Sequence, residues 1–239
     1  MAKQLIFYEK VVPIVLDRHR EWSVEQGASY DFAAGANSCP LMVSEFQMAA
    51  VDIPIVFGKN ETGIAPMAIL GIEPKKSVFV GEDGVWGKSY IPAFIRRYPF
   101  VFAQAPEQDT FALCIDEQFD GCHEDGKKGE KLFKDDDQPT DYLNTQMEFA
   151  KNFEIEQRRT VAFCELMEEH KLLDPTNAQI TMPDGQKRAL TGFHVISKER
   201  LKALPEDVVK DLFERDALEL IYYHLASIRN MERLRDLTG

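Results

Sequence analysis

A chain of 239 residues is long enough to bury a core, either as one large domain or as two small ones. Its composition, 44% hydrophobic and 28% charged, is typical of a soluble globular protein. The net charge of −12 argues against sequence-independent binding to DNA or RNA, which needs clustered Lys and Arg, and it opposes adsorption to an anionic membrane surface.

The chain carries no predicted membrane or metal-binding segment. No apolar run approaches the roughly 20 residues of a membrane helix, and the amino terminus lacks the features of a signal peptide, so we predict a cytoplasmic protein. The cysteines form no CxxC pair and are predicted to be free thiols. Cys114, Cys122 and His123 match no closed metal motif, so we predict neither a metal nor a cofactor.

The first half of the chain is predicted to be rich in strands. Residues 10–16 form an apolar run that Pro13 confines to an edge strand or an extended arm. Ser44 and Gln47 fit a helix capping box. Further strands are predicted at residues 30–34, 55–57, 67–72, 77–80, 100–103 and 110–115, with a loop at 58–66. The short connections favour a mostly antiparallel sheet.

Residues 86–100 join a turn, a short helix and a strand. Gly81 to Gly84 predicts a hairpin turn between two short strands, because Asp-Gly accepts positive φ. Pro92 suits the first turn of a helix, and Pro99 ends it. The spacing of Ile91, Ile95 and Tyr98 predicts that they face the core, which leaves Arg96 and Arg97 at or beyond the edge of that face.

The second half is predicted to be mainly helical. Residues 116–140 are glycine-rich and charged, and we expect a long exposed loop. Residues 141–170 have a helical pattern with an apolar stripe that includes Val161, capped by Thr140 or Asp141. A hairpin is predicted at residues 180–190, a further strand at 193–196, and short helices starting at Ser197, Pro205 and Asp216.

These elements predict an α+β fold. Its amino-terminal half contains a mostly antiparallel sheet with short helices, and its helical carboxy-terminal half contains a β-hairpin. We expect a single domain over residues 1–239, with a β-rich part at 1–116, a charged loop at 117–140 and a helix-rich part at 141–239.

The segment WGKSYIPAFIRRYPF, residues 86–100, resembles the signature of the SapC family of bacterial proteins. Weaker pieces of the resemblance, such as Ser44-Glu45-Phe46 and Leu190-Thr-Gly-Phe193, extend over nearly the whole chain. The resemblance implies an accessory role, because the family is named after a surface-layer system and other members are encoded near outer-membrane receptors, halogenase-like flavoproteins and cupin-type oxygenases. No catalytic residue of the family can be carried over to this chain.

Five residues are candidates for a ligand site. Arg96 and Arg97 could bind a carboxylate or phosphate, although a structural ion pair with an acid such as Asp116 is the simpler interpretation. Trp86 and Tyr90 could line a groove, since their polar tips tolerate partial exposure. Phe94 and Phe100 are predicted to be core residues, as are His194 and His224.

Two functions of different classes follow. The first is an accessory or binding protein with a protein or peptide partner, which by resemblance serves peptide modification, nutrient uptake or surface-layer assembly. The alternative is an enzyme that modifies a peptide or amino-acid derivative, with Arg96, Arg97, Asp116 and Tyr90 around the substrate. A structural surface-layer subunit is a third, weaker hypothesis, because no secretion signal is recognised. A convergent polar pocket at Arg97 favours the enzyme, and an apolar patch favours the binding protein.

Overall fold

The computed structural model describes residues 6–60, 63–104, 111–182 and 185–238. Within these residues the strands are β1 (Val11–Pro13), β2 (Ser23–Val24), β3 (Ser38–Pro40), β4 (Ile55–Asn60), β5 (Gly63–Ile69), β6 (Phe100–Gln104), β7 (Phe111–Asp116), β8 (Cys122–His123), β9 (Glu130–Lys131), β10 (Leu173–Thr181) and β11 (Lys187–Ile196). The helices are α1 (Leu16–His19), α2 (Asp31–Ala34), α3 (Phe46–Ala49), α4 (Ala93–Arg96), α5 (Asp141–Glu169), α6 (Lys198–Lys202), α7 (Glu206–Glu214), α8 (Ala217–Ser227) and α9 (Asn230–Leu237), and Val43–Glu45 forms a 3₁₀ turn. This mixture of antiparallel sheets and helices confirms the α+β class.

The chain forms two compact units, each made from two separate stretches. The first unit contains Met1–Phe32 and Ile95–Ile155, and the second contains Ala33–Phe94 and Glu156–Gly239. These bounds do not follow the three successive parts suggested by the sequence, because each unit combines residues from both halves of the chain.

The first unit contains two small antiparallel sheets, of order β1-β7-β6 and β8-β2-β9. Pro13 lies in the edge strand β1, where a residue without an N–H is tolerated, as predicted. The core around these sheets includes Phe100, Ile115, Leu132 and Leu143, all nearly inaccessible to solvent.

The expectation of a long exposed loop at residues 116–140 is wrong in part. Strands β8 and β9 within this segment both pair with β2. Leu132 is fully buried and Phe133 is 8% exposed. The charged residues around them hide this contribution in the sequence, because two apolar side chains are too few to produce a periodic pattern.

The second unit contains one antiparallel sheet of order β10-β11-β4-β5-β3. The predicted hairpin at 180–190 is confirmed, but its arms extend to Leu173 and Ile196, and the separate strand predicted at 193–196 is the end of β11. Its turn residues 183 and 184 lie outside the described residues. The predicted loop at 58–66 is also wrong, because residues 55–60 of β4 pair with residues 63–68 of β5; residues 61 and 62 lie outside the described residues.

Several local predictions fail for identifiable reasons. Residues 30–34 were predicted to be a strand, but residues 31–34 form α2, and the Ser29 hydroxyl accepts a hydrogen bond from the Asp31 amide at 3.1 Å. The capping box uses Met42 and Glu45 rather than Ser44 and Gln47.

The predicted strand at 77–80 is reduced to a single bridge between Val80 and Trp86, although the turn forms with Gly84 at φ 72°.

The helices were predicted more accurately than the strands. α5 has 29 residues and begins where predicted, with the Thr140 hydroxyl accepting a hydrogen bond from the Leu143 amide at 3.2 Å. Val161, however, is 49% exposed and does not belong to the apolar stripe. Ser197 caps α6 as expected, whereas the Asp216 side chain makes no capping hydrogen bond at α8.

Candidate functional site

The amino-terminal half of the 86–100 segment belongs to the second unit and is held by Glu45. This carboxylate is 5% exposed and accepts hydrogen bonds from the Tyr90 hydroxyl at 2.9 Å and from the Ala93 amide at 2.6 Å. It also accepts the Met42 amide at 2.9 Å, which closes the capping box. Glu45 therefore fixes the start of α4, and Tyr90 has a structural partner.

Trp86 was a candidate ligand contact because its polar tip tolerates partial exposure, but the structure buries it. Its side chain is 6% exposed and stacks on Phe79 with ring centroids 5.6 Å apart. Phe94 is fully buried, as predicted. The aromatic side chains at this end of the segment are therefore packed in the second unit.

Arg97 belongs to the first unit and is buried, which corrects the expectation that it lies at the edge of the core-facing surface. Its residue is 6% exposed, and its guanidinium carbon lies 4.3 Å from the centroid of the Phe153 ring. It also hydrogen-bonds the Tyr8 hydroxyl. Burial lowers the pKa of Arg97 and raises that of Tyr8. These contacts are with aromatic side chains, whereas Asp116, the acid named for the expected ion pair, is bound by other donors.

Asp116 is fully buried at the end of β7. Its oxygens accept the backbone amides of Glu9 at 2.8 Å and Lys10 at 2.9 Å. They also accept the amide of Gln118 at 3.1 Å and the hydroxyl of Tyr98 at 3.3 Å. Four donors compensate the desolvation of this carboxylate, so its contacts are those of a structural group.

Arg96 is exposed, unlike its neighbour. Its guanidinium carbon lies 5.5 Å from the Phe149 ring centroid, and its carbonyl oxygen accepts a hydrogen bond from the Gln26 side chain at 2.8 Å. Of the five predicted site residues, Arg96, Arg97 and Asp116 belong to the first unit, whereas Trp86 and Tyr90 belong to the second.

A groove of about 600 Å³ lies in the second unit, between the β10–β11 hairpin and the last two helices. Its apolar lining includes Ala178, Phe193, Val195, Leu225, Ile228 and Met231. A volume of this size is typical of small-molecule and cofactor sites. This groove could not be predicted from the sequence, since an apolar residue such as Leu225 on α8 is also what an ordinary core-facing helix carries.

Polar groups line one end of the groove. Asp174 forms an ion pair with Arg200 at 2.5 Å, and the Ser197 hydroxyl bonds Glu199 at 3.3 Å. Lys198 also lines this end. An apolar lining with a few polar groups at one end suits an amphiphilic ligand, whose polar part would lie at the Asp174 end.

The buried thiols and histidines have structural environments. Burial and, secondly, the nearby Glu45 carboxylate raise the pKa of Cys39 well above its usual value, and burial raises that of Cys122 to about 12. The thiolate forms that bind metals and act as nucleophiles are therefore disfavoured. No group of three or more potential metal-ligating His, Cys, Asp or Glu side chains occurs among the described residues.

His224 is a core histidine, as predicted. It is fully buried, and its Nε2 accepts a hydrogen bond from the Ile196 amide at 3.0 Å. Its ring lies 5.0 Å from that of Phe57. The histidine thus connects α8 to the sheet of the second unit.

Comparison with known proteins agrees with the signature at residues 86–100. Within the described residues, no helix is both long and apolar enough to cross a membrane. No curated protein and no solved structure matches the chain. The sequence model of the SapC family, in contrast, matches residues 16–234. Because this match covers nearly the whole chain, the protein belongs to the SapC family.

Proposed function

We propose that this protein is a non-catalytic binding protein that acts as an accessory component of a bacterial system. The observation that supports this proposal is the groove of about 600 Å³ between β10–β11 and the carboxy-terminal helices. Its lining is mainly apolar, so a ligand would be held by burial of hydrophobic surface rather than by reactive side chains.

The shape and chemistry of the groove favour an amphiphilic ligand. Side chains such as Phe193 and Leu225 would contact its apolar part, and the groups near Asp174 would contact its polar end. A peptide with apolar side chains, or a modified peptide, has this chemistry. Such a ligand agrees with a role in peptide modification, nutrient uptake or surface-layer assembly, the three roles suggested by the family. A cytoplasmic location remains part of the proposal.

The enzymatic alternative receives less support from the geometry. It requires Arg97 and Asp116 to face a substrate, yet both are buried, Asp116 among four hydrogen-bond donors. Tyr90 already donates its hydroxyl to Glu45. A nucleophile or general base needs access to the substrate, so these side chains are poor candidates in the observed arrangement.

The groove can be tested by filling it. Ala178 lines the groove, and Ala178→Trp would occupy part of its volume; Ala226→Trp on the exposed side of α8 is the matched control. We expect native mass spectrometry of the parent and of Ala226→Trp to detect a bound small molecule or peptide that Ala178→Trp lacks. We also expect an apolar fluorescent dye to bind Ala178→Trp about tenfold more weakly than the control, since a blocked pocket loses its buried contacts.

Two results would contradict the proposal. One is dye binding that is equal in Ala178→Trp and Ala226→Trp. The other is turnover of a peptide or amino-acid derivative by the purified protein that is lost in Arg97→Lys, which would favour the enzyme.

A further inference from the structure

Residues 6–10 lie next to buried polar groups of the first unit, including Asp116, but belong to no strand. Strand β1 begins only at Val11. The amides of Glu9 and Lys10 both donate to the carboxylate of Asp116, at 2.8 and 2.9 Å. Consecutive amides point to opposite sides of a β-strand, so their convergence on one carboxylate shows that the backbone is bent here. We call residues 6–10 the N-terminal strap.

Two aromatic side chains of the strap pack against aromatic rings of the first unit. The ring of Phe7 lies 5.4 Å from that of Phe32, and the ring of Tyr8 lies 5.1 Å from that of Tyr98. The Tyr8 hydroxyl donates to the carbonyl oxygen of Phe100 at 2.7 Å. Ile6, in contrast, is 53% exposed. The strap is also held by the Lys10 carbonyl oxygen, which accepts the Glu117 amide at 3.1 Å, and by an ion pair between Lys10 and Glu117 at 2.8 Å.

Two of the four donors to Asp116 do not belong to the strap. The Gln118 amide follows the end of β7 and the Tyr98 hydroxyl precedes β6, and both donate to the same carboxylate. Loss of the strap would therefore leave Asp116 with two of its hydrogen bonds. Displacement of the strap would not leave the buried charge of Asp116 without partners.

We propose that the strap is a displaceable internal ligand, and that the cleft beneath it is a second binding site for an extended peptide. The cleft consists of Phe32, Arg97, Tyr98 and Asp116. Its ligand carries two adjacent aromatic residues, which take the places of Phe7 and Tyr8, followed by two backbone amides that bind Asp116. The inference does not depend on the groove in the second unit.

Hydrogen exchange on the intact protein tests whether the strap opens by itself. The Asp116 amide donates to the carbonyl oxygen of Pro99 at 3.0 Å and reports opening of the β6–β7 region. We expect the amides of Glu9 and Lys10 to exchange at least about tenfold faster than that of Asp116, because local opening precedes global unfolding. Equal protection of all three amides would overturn the proposal, since the strap would then be part of the core.

A competition experiment tests the peptide site in the full-length chain. The probe is a labelled peptide with the sequence of residues 6–10, Ile-Phe-Tyr-Glu-Lys, blocked at both ends. Tyr8→Ala weakens the internal strap and raises the fraction of molecules with an open cleft. We expect this variant to bind the probe at least about tenfold more tightly than the parent, because apparent affinity scales with the competent fraction.

The control variants identify the site. Adding Asp116→Asn to Tyr8→Ala is expected to remove most of the gain in affinity, whereas adding Asp120→Asn, at an exposed acid, is expected to leave it unchanged. No gain in Tyr8→Ala, or an equal effect of the two Asp→Asn changes, would overturn the proposal. A scrambled probe that binds equally well would do the same.

Discussion

Each unit of the protein contains one buried carboxylate bound by a tyrosine hydroxyl and by backbone amides. In the second unit this is Glu45, with Tyr90 at 2.9 Å, and in the first it is Asp116, with Tyr98 at 3.3 Å. Both tyrosines come from the 86–100 segment. In both units, therefore, a buried acid binds a tyrosine of the 86–100 segment.

The two sites differ in the source of their amides. Glu45 accepts the amides of Met42 and Ala93, which start a 3₁₀ turn and a helix of the unit. Asp116 takes two of its amides from residues 9 and 10, outside any sheet or helix. The same chemistry therefore fixes a helix start in one unit and the N-terminal strap in the other, and we expect the second arrangement to open more easily.

The largest expected effect comes from removing Glu45. Glu45→Ala removes the acceptor of two buried amides and of the part-buried Tyr90 hydroxyl, and at roughly 1–3 kcal/mol each we expect a loss of about 4 kcal/mol of unfolding free energy. Asp116→Ala is expected to cost about 2 kcal/mol, because the strap amides can turn to water. Urea unfolding measures both.

The two tryptophans allow the units to be followed separately. Trp22 lies in the core of the first unit and Trp86 in the second, so Trp22→Phe and Trp86→Phe backgrounds each report one unit by fluorescence. A cost of Asp116→Ala that equals or exceeds that of Glu45→Ala would contradict the difference drawn between the sites.

The second unit is expected to be the more sensitive to acid, through His224. Burial lowers the pKa of His224 from 6.5 to about 4. The unfolded chain therefore binds the proton first, and stability falls as the pH falls from about 6.5 to about 4, by about 3 kcal/mol in total. The unfolding midpoint reported by Trp86 should decrease over this range.

A variant and a second histidine serve as controls for the acid effect. His224→Gln cannot take up the proton and should reduce the pH dependence of the Trp86 signal. In the first unit burial also lowers the pKa of His19, but the adjacent Glu117 carboxylate opposes the shift, so the Trp22 signal should change less. Equal pH dependence of the parent and His224→Gln would refute the assignment.

Replacing Arg97 by Ala is expected to cost more unfolding free energy than replacing the adjacent Arg96. Arg97→Ala removes a buried guanidinium from between Phe153 and Tyr8 and should cost about 2 kcal/mol. Arg96→Ala removes an exposed one and should cost less than about 0.5 kcal/mol. Denaturant unfolding without ligand measures the difference. An Arg97→Ala variant as stable as the parent would reject the structural interpretation and favour an anion site.

Small effects are also expected from removing the two tyrosine hydroxyls. Tyr90→Phe removes a hydrogen bond of 2.9 Å and should cost about 1 kcal/mol, whereas Tyr98→Phe removes one of 3.3 Å and should cost about 0.5 kcal/mol. Thermal unfolding in the matching single-tryptophan background measures each change. The reverse order would show that the longer contact is the stronger one in solution.

Local patterns identified most of the regular elements. Thr140 marked the start of α5, Pro92 the start of α4, and Pro13 an edge strand, because each acts through its own backbone or its immediate neighbours. Elements that form only through pairing with distant residues were not predicted correctly. Strands β8 and β9 have two residues each and exist only because β2 lies between them, so no periodicity could reveal them.

For the candidate sites, too, local patterns were informative and contacts with distant residues could not be predicted. The sequence singled out Arg97, Asp116 and Tyr90 by residue type, but residue type does not state burial, and the structure places Arg97 against Phe153, 56 positions away. The groove could not be predicted from the sequence for a related reason. Its walls come from a hairpin and from two helices, and a cavity is the space that such elements leave when they pack.

The sequence by itself determined the α+β class, the family and the starts of the helices α4 to α8, since composition, caps and the 86–100 signature are properties of short stretches. Tertiary structure alone decided that β10 and β11 share a sheet with β4 and β5, and that Glu45 binds Tyr90, 45 positions along the chain. It also decided which of two adjacent arginines is buried. The physical reason is that burial and long-range hydrogen bonds depend on which distant residues come to lie together, and local patterns carry no information about that.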